Sequence, residues 1–153
     1  MRRTPISKKS KTPLAKAKAK LWKVLKQVIE IRDGDICISC GAVGLIGHNK
    51  HGGHFIPSSS CGGFLRYDLR NVAIQCSTCN LFRNGAGAEY TRALEKKYST
   101  KFVDRIIQDK QVTIKLDVQY VETLTEYYLS ILNMDNKELI KLTENYSGFK
   151  NNG

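Results

Sequence analysis

No stretch of this 153-residue sequence stays apolar for the length that crossing a bilayer demands, which excludes a membrane-spanning helix. The N-terminus is basic, but it lacks the apolar h-region and the small-residue cleavage site of a secretory signal, so export is not expected. The five cysteines are therefore expected in a reducing compartment, where disulfides are a poor first explanation of them. Acidic residues are missing from the whole first part of the chain, where none precedes Glu30. Histidine is scarce too, and all three lie together, at 48, 51 and 54. At 41% hydrophobic and 25% charged, the chain can bury one ordinary core but hardly two full-sized ones. One compact domain with appendages is the expectation.

What the first part does hold is positive charge. Arg2, Arg3, Lys8, Lys9, Lys11, Lys16, Lys18, Lys20, Lys23 and Lys26 make ten basic side chains without one acid, whereas residues 27–153 carry 15 basic against 14 acidic. The arm thus holds +10 of the formal +11, too one-sided for an ordinary solvated face. A basic arm beside a nearly neutral body fits the backbone-reading part of a nucleic-acid binder. Such a surface gains affinity by releasing counterions from phosphates and carries no sequence information. These ten residues are the candidate DNA contacts.

Residues 1–12, with Pro5, Ser7, Ser10 and no apolar periodicity, read as a disordered basic arm. Thr12 suits an N-cap and Pro13 a first turn. Leu21, Leu25, Val28 and Ile31 then recur at helical spacing, Trp22 and Ile29 widen the stripe, and Asp33-Gly34 supplies a stop. This predicts a basic helix over 13–33. Seven of the twelve glycines fall between 36 and 64, a stretch that reads as short strands and loops. Beyond Cys79 the patterns of Ala88–Tyr98, Phe102–Gln108, Val118–Leu132 and Asn136–Tyr146 are helical, and 101–153 reads as a C-terminal helical region. The stripe of Val118, Val121, Leu124, Tyr128 and Ile131 suits packing onto the same domain, the commoner use, or a homodimer seam.

Cys37-Ile38-Ser39-Cys40 and Cys76-Ser77-Thr78-Cys79 are two C-x2-C knuckles with 35 residues between them. A two-residue gap lets both thiolates of a knuckle reach one tetrahedral ion, so the pattern signals structural Zn²⁺. Gly41 offers the tight turn such knuckles need. A redox C-x-x-C would want a strand-to-helix βαβ setting that this glycine-rich stretch does not provide. Cys61 stands outside the pattern and reads as an incidental thiol. Zinc tying residue 37 to residue 79 would make everything between them a loop pinned at its base, inside a zinc-bound core over 34–100, and every histidine lies in that loop. His48, in a polar turn, reads as a surface residue. His54 lies in Gly53-His54-Phe55-Ile56-Pro57, a strand-like run, followed by a loop, a second strand over Asn71–Gln75 and a helix start at Cys76–Asn80.

That order resembles the His-Asn-His nucleases, with their ββα-metal fold, in the version where two knuckles bracket the active hairpin, as in phage endonuclease VII. The resemblance is closest to the lambda NinG (Rap) family of phage recombination proteins. It runs through Thr12-Pro13-Leu14, Ile31-Arg32-Asp33, Cys37-Ile38-Ser39-Cys40-Gly41, His51-Gly52-Gly53-His54-Phe55, Leu65-Arg66-Tyr67, Asn71-Val72, Gln75 to Asn80 and Glu89-Tyr90. It implies an α+β fold in which a small zinc-stapled ββα-metal core is embedded between helices. It also implies a metal-dependent endonuclease cutting branched DNA such as Holliday junctions, in the cytoplasm of an infected or lysogenic bacterial host. A phage recombinase and a second copy of the chain are the implied protein partners, with no membrane.

The resemblance also implies roles. His54 falls on the general base, Asn71 on the residue that ties down the loop between the strands, and Asn80 on the helix-borne ligand of a catalytic Mg²⁺ or Mn²⁺. An amide oxygen suits such a hard cation. Many relatives carry Asp or His just before the base, where this chain has Gly53. Alternate strand residues share a face, so His51 is the candidate substitute ligand, with Asp68 in reserve. A different class of function, a non-catalytic zinc-stabilised DNA-binding accessory protein, would share the arm and the cysteines but would not need His54, Asn71 and Asn80.

Overall fold

The computed structural model describes residues 10–149. The Thr12 hydroxyl accepts the Ala15 amide at 3.2 Å, and Pro13 opens helix α1 (Pro13–Asp33) where its missing N–H costs nothing. The helix ends as Asp33-Gly34 leads one to expect, with the Gly34 amide bonded back to the Glu30 carbonyl. Leu21, Val24, Leu25, Val28 and Ile29 are buried, whereas Lys16, Lys20, Lys23 and Gln27 are exposed on the opposite face.

Strands β1 (His51–His54) and β2 (Val72–Gln75) pair antiparallel, His51 opposite Gln75 and His54 opposite Val72. Helix α2 (Gly63–Arg66) lies between them, and a π-helical turn, Thr78–Phe82, follows β2. Helices α3 (Gly87–Lys97), α4 (Thr100–Asp109), α5 (Val118–Ser130) and α6 (Asn136–Asn145) complete the described chain. Side chains of Ser99, Asp117 and Asp135 cap the last three by accepting amides of their first turns.

A two-stranded hairpin is marginal by itself in water, so its neighbours must hold it. All four residues of β2 are buried. Val72 and Ile74 join α1, α5 and α6 in one apolar cluster, while Ala73, on the other face, joins Phe64, Leu65, Tyr90, Leu94, Phe102, Val103 and Ile106 of α2, α3 and α4. The fold is mixed α+β, mostly helical, with the small sheet between two helical layers. Val121, Leu124, Tyr128 and Ile131 are buried in the first cluster. Those four residues of the stripe pack within the chain, while Val118 at its head is half-buried.

Three local readings shift. β1 begins at His51 and ends at His54, because two glycines conceal a strand from propensity while Phe55 and Ile56 leave the sheet to join the second cluster, Phe55 tilted against Tyr90. α2 is a single turn, shorter than any period can register. The helix start expected at Cys76–Asn80 is a π-helical turn, and α3 then starts at Gly87, one residue before the expected Ala88.

The end of α1 is bolted to β2 by Arg32 and Asp33. The guanidinium donates to the Asp33 carboxylate at 2.7 and 2.8 Å and to the carbonyls of Leu69 and Val72 at 2.7 Å each. Asp33 in turn accepts the Ile74 amide at 3.1 Å. Burial opposes ionisation of both groups, yet their mutual attraction outweighs it, holding the carboxyl below its usual range and the guanidinium above. Removing Arg32 leaves the buried Asp33 carboxylate to Lys97, at 3.1 Å, for its countercharge and strips the Leu69 and Val72 carbonyls of their donor. Arg32→Ala is therefore expected to cost about 3–5 kcal/mol, read as a lowered urea midpoint. An unchanged midpoint would contradict this account of the bolt.

Candidate functional site

The Sγ atoms of Cys37, Cys40, Cys76 and Cys79 all lie within 4.8 Å of one another, with Cys40 and Cys76 3.7 Å apart. A tetrahedral ion with metal–sulfur bonds of about 2.3 Å needs sulfurs about 3.8 Å apart, so the cluster fits a metal ion such as zinc. Burial pushes the Cys37 thiol up, but amide N–H groups of Cys40, Cys76 and Ser39 together outweigh it and bring it down to about 7. Cys61 is half-buried against the second apolar cluster, apart from the four. Among the described residues no second group of three or more His, Cys, Asp or Glu side chains converges in this way.

The second knuckle follows β2 directly. Asn80 follows Cys79 directly, its amide bonded to the Cys76 carbonyl at 3.0 Å, and its side-chain amide donates to Nδ1 of His51 at 3.0 Å. His51 must then carry its proton on Nε2, which donates to the His48 carbonyl at 2.8 Å. The two side chains sit in a cleft of about 430 Å³ lined also by Trp22, Lys26, Lys50 and Gly52.

His54 points to the other face of β1. Its Nε2 lies 2.8 Å from the Arg66 carbonyl, which can only accept, so the proton is on Nε2 and the Nδ1 lone pair is free. The ring stacks on Trp22 of α1, centroids 5.3 Å apart and planes 11° from parallel. Burial lowers its pKa from the ordinary value, the Arg66 guanidinium adds to this, and the carbonyl bond opposes it. The cleft here, about 250 Å³, is lined by Trp22, His54, Ser58, Arg66 and Tyr67.

Asn71 is fully buried and enters neither cleft. Its Oδ1 accepts the Ile56 amide at 2.7 Å and its Nδ2 donates to the carbonyls of Ile56 and Leu65, each at 3.1 Å, so one amide ties both ends of the inter-strand loop. The loop carries Arg66, whose carbonyl holds His54. Asp68 is buried and its carboxylate is engaged by Arg70 at 2.8–2.9 Å, away from His51 and Asn80. His51 and Asn80 thus meet, and His54 lies across Trp22 from them.

Two glycines make this arrangement possible. A Cβ on Gly53 would lie 1.8 Å from Gln75 Oε1, and Gln75 is held in place by its bonds to Ser39 Oγ at 2.7 Å and the Gly85 carbonyl at 2.8 Å. Position 53 therefore has no room for an Asp or His side chain. A Cβ on Gly52 would stand 3.0 Å from the Trp22 ring, so glycine lets the indole lie against the strand.

Of the basic residues, Lys11, Lys16, Lys20 and Lys23 are exposed and Lys18 and Lys26 half-buried, while Arg2, Arg3, Lys8 and Lys9 lie outside the described residues. Lys18 and Lys26 stand one turn to either side of Trp22 on the same stripe of α1. Sequence reasoning missed Trp22 and Arg66 as site residues. The signal was a lone tryptophan at i±4 from two lysines, and an Arg within Leu65-Arg66-Tyr67 to which no role had been given.

A zinc-competent, basic α+β protein with its histidines on one short hairpin is the class these features define. The family model described as Bacteriophage Lambda NinG protein matches residues 2–138, and the chain belongs to that family. Comparison with curated proteins and with solved structures gives no match. No helix among the described residues is long and apolar enough to cross a membrane.

Proposed function

We propose that the protein is a metal-dependent, His-Asn-His type DNA endonuclease, similar to endonuclease VII, that hydrolyses phosphodiesters in branched DNA such as Holliday junctions during phage recombination in the host cytoplasm. In that reading zinc in the four cysteines is structural, and β1, β2 and the turn after β2 serve as the ββα-metal core. The observation that carries it is the division of the histidines between two clefts that share Trp22. In-line displacement at phosphorus places the attacking and leaving oxygens at opposite ends of the reacting group. The chain's own residues divide the same way.

On one side, His54 offers Nδ1 to a water, its ring fixed by the Arg66 carbonyl and the Trp22 stack. It takes the water's proton as the oxygen attacks. On the other side, His51 through Nδ1 and Asn80 through its amide oxygen, after a turn of the amide, would hold Mg²⁺ or Mn²⁺. Two protein ligands suit an ion that keeps several waters and also binds substrate phosphate. When bound, such an ion neutralises charge on the leaving 3′ oxygen and the phosphate. Arg66 and Lys26 give each cleft a cation for the strand, and the exposed lysines of α1 extend the phosphate track.

The test is incubation of the zinc-loaded protein with a labelled four-way junction and a matched linear duplex, with and without Mg²⁺. Junction cleavage only with Mg²⁺ is expected. No cleavage of any DNA shape would leave the accessory-protein reading in its place. The pH profile adds a second check. The neutral imidazole is the active form, and a lowered pKa keeps it neutral further into acid, so the rate is expected to hold until the pH falls below about 6.5. A limb above that value would contradict the site geometry.

A further inference from the structure

The turn that carries Asn80 ends in two large apolar side chains left open to water: Leu81 is 58% exposed and Phe82 81%. Neither belongs to the apolar clusters of the fold. Exposed apolar pairs are costly in water and mark places that something else covers. The turn is held in shape, since Cys76 and Cys79 at its start belong to the sulfur cluster. The Arg83 amide bonds to the Thr78 carbonyl and the Gly85 amide to the Cys79 carbonyl, each at 2.9 Å. The π-helical register presents side chains that a regular α-helix would aim elsewhere.

Position decides what the occupant is. Successive Cα atoms are about 3.8 Å apart, so Phe82 stands within about 7.6 Å of Asn80 along the backbone. In DNA that span is about two base steps of about 3.4 Å. Exposed Arg83 follows, with no ion pair among the described residues, and Lys26 and Lys50, paired with Glu30 and Asp35, line the cleft beside Asn80. A protein seated on Leu81 and Phe82, which follow Asn80 directly in the turn, would compete with a polyanion for the approach to that cleft. The occupant compatible with substrate in the cleft is the substrate.

We propose that Leu81 and Phe82 form a wedge that inserts between bases beside the phosphodiester to be cut, so the preferred DNA is one whose stacking is already broken, at a branch point, flap or bulge. This deepens the nuclease reading and rests on it for the position of the cut. Apolar side chains part base steps at an energetic cost that is smallest where pairing is already interrupted. The wedge thereby discriminates by shape without reading sequence, which the phosphate contacts of α1 cannot do.

The experiment uses the full zinc-loaded chain without Mg²⁺, and a four-way junction and matched duplex carrying 2-aminopurine at the positions flanking the branch. The wild type is expected to raise 2-aminopurine fluorescence in the junction and to bind it in preference to the duplex. Phe82→Ala is expected to lose the rise and to reduce that preference about tenfold, with zinc content and duplex affinity unchanged, while Phe82→Trp keeps both. An unchanged signal and preference in Phe82→Ala, an equal loss on both DNA shapes, or a wild type that shows no rise overturns the wedge. Adding Mg²⁺ separates the two readings: a fluorescence rise without cleavage removes the nuclease and leaves the wedge, whereas cleavage without a rise does the reverse.

Discussion

His54→Ala is expected to bring junction cleavage down by about 10² to 10⁴ while zinc content and DNA affinity stay near those of the wild type. The change removes a proton acceptor. The Arg66 carbonyl it uncovers lies at a solvent-open cleft, where water can take the lost bond. Asn80→Ala and His51→Ala are expected to suppress cleavage too, but for a different reason, since their amide and imidazole face each other at 3.0 Å and would share one ion. Raising Mg²⁺ or supplying Mn²⁺ should therefore recover part of the activity of Asn80→Ala and His51→Ala and none of that of His54→Ala. A His54→Ala protein that metal rescues, or that cuts at the wild-type rate, would remove His54 from the role of base.

Stripping the metal from the four cysteines, or making Cys76→Ser, is expected to collapse the hairpin and with it any nuclease activity. Structural zinc in small domains carries an apparent binding free energy of about 10–16 kcal/mol, as large as the whole stability of an ordinary domain, about 5–15 kcal/mol. Cys37, Cys76 and Cys79 are buried in the cluster that also holds β2, so the ion and the sheet stand or fall together. Thermal melts with and without chelator, paired with elemental analysis, read this directly. Zinc-free protein that melts at the same temperature as isolated would contradict it.

The features of the fold that repeat were legible in the sequence, and those that occur once were not. Helix α1 was announced twice over, by a cap at Thr12 and a stop at Asp33-Gly34, and its apolar stripe continued for several turns. The cysteine cluster was legible because x2 spacing is a geometric constraint in itself. β1 starts two residues and ends three residues before the run that propensity picks out, because its glycines are there for close approach, to Trp22 on one face and Gln75 on the other, and close approach leaves no trace in propensity. Asn71, His51 and Asn80 had a candidate chemistry from their residue types and order. Trp22 read as one more apolar residue, because its contact with His54 spans two elements far apart in sequence. Arg32 and Asp33 are similar: a charged pair at a helix end looks like surface, and only the packing of β2 beneath it makes it a core element.

Helix α1 serves three purposes on one rigid body. Its apolar stripe is the spine of the larger core, its lysines line the outer face, and its single indole supports the imidazole of His54. In the proposed nuclease, affinity for a polyanion and alignment of the proton acceptor would consequently be linked quantities: any tilt of the helix under the pull of a DNA strand would reach the imidazole through the Trp22 ring. The basic surface is then no interchangeable module, because a change that moves the helix is passed on to the hairpin through Trp22.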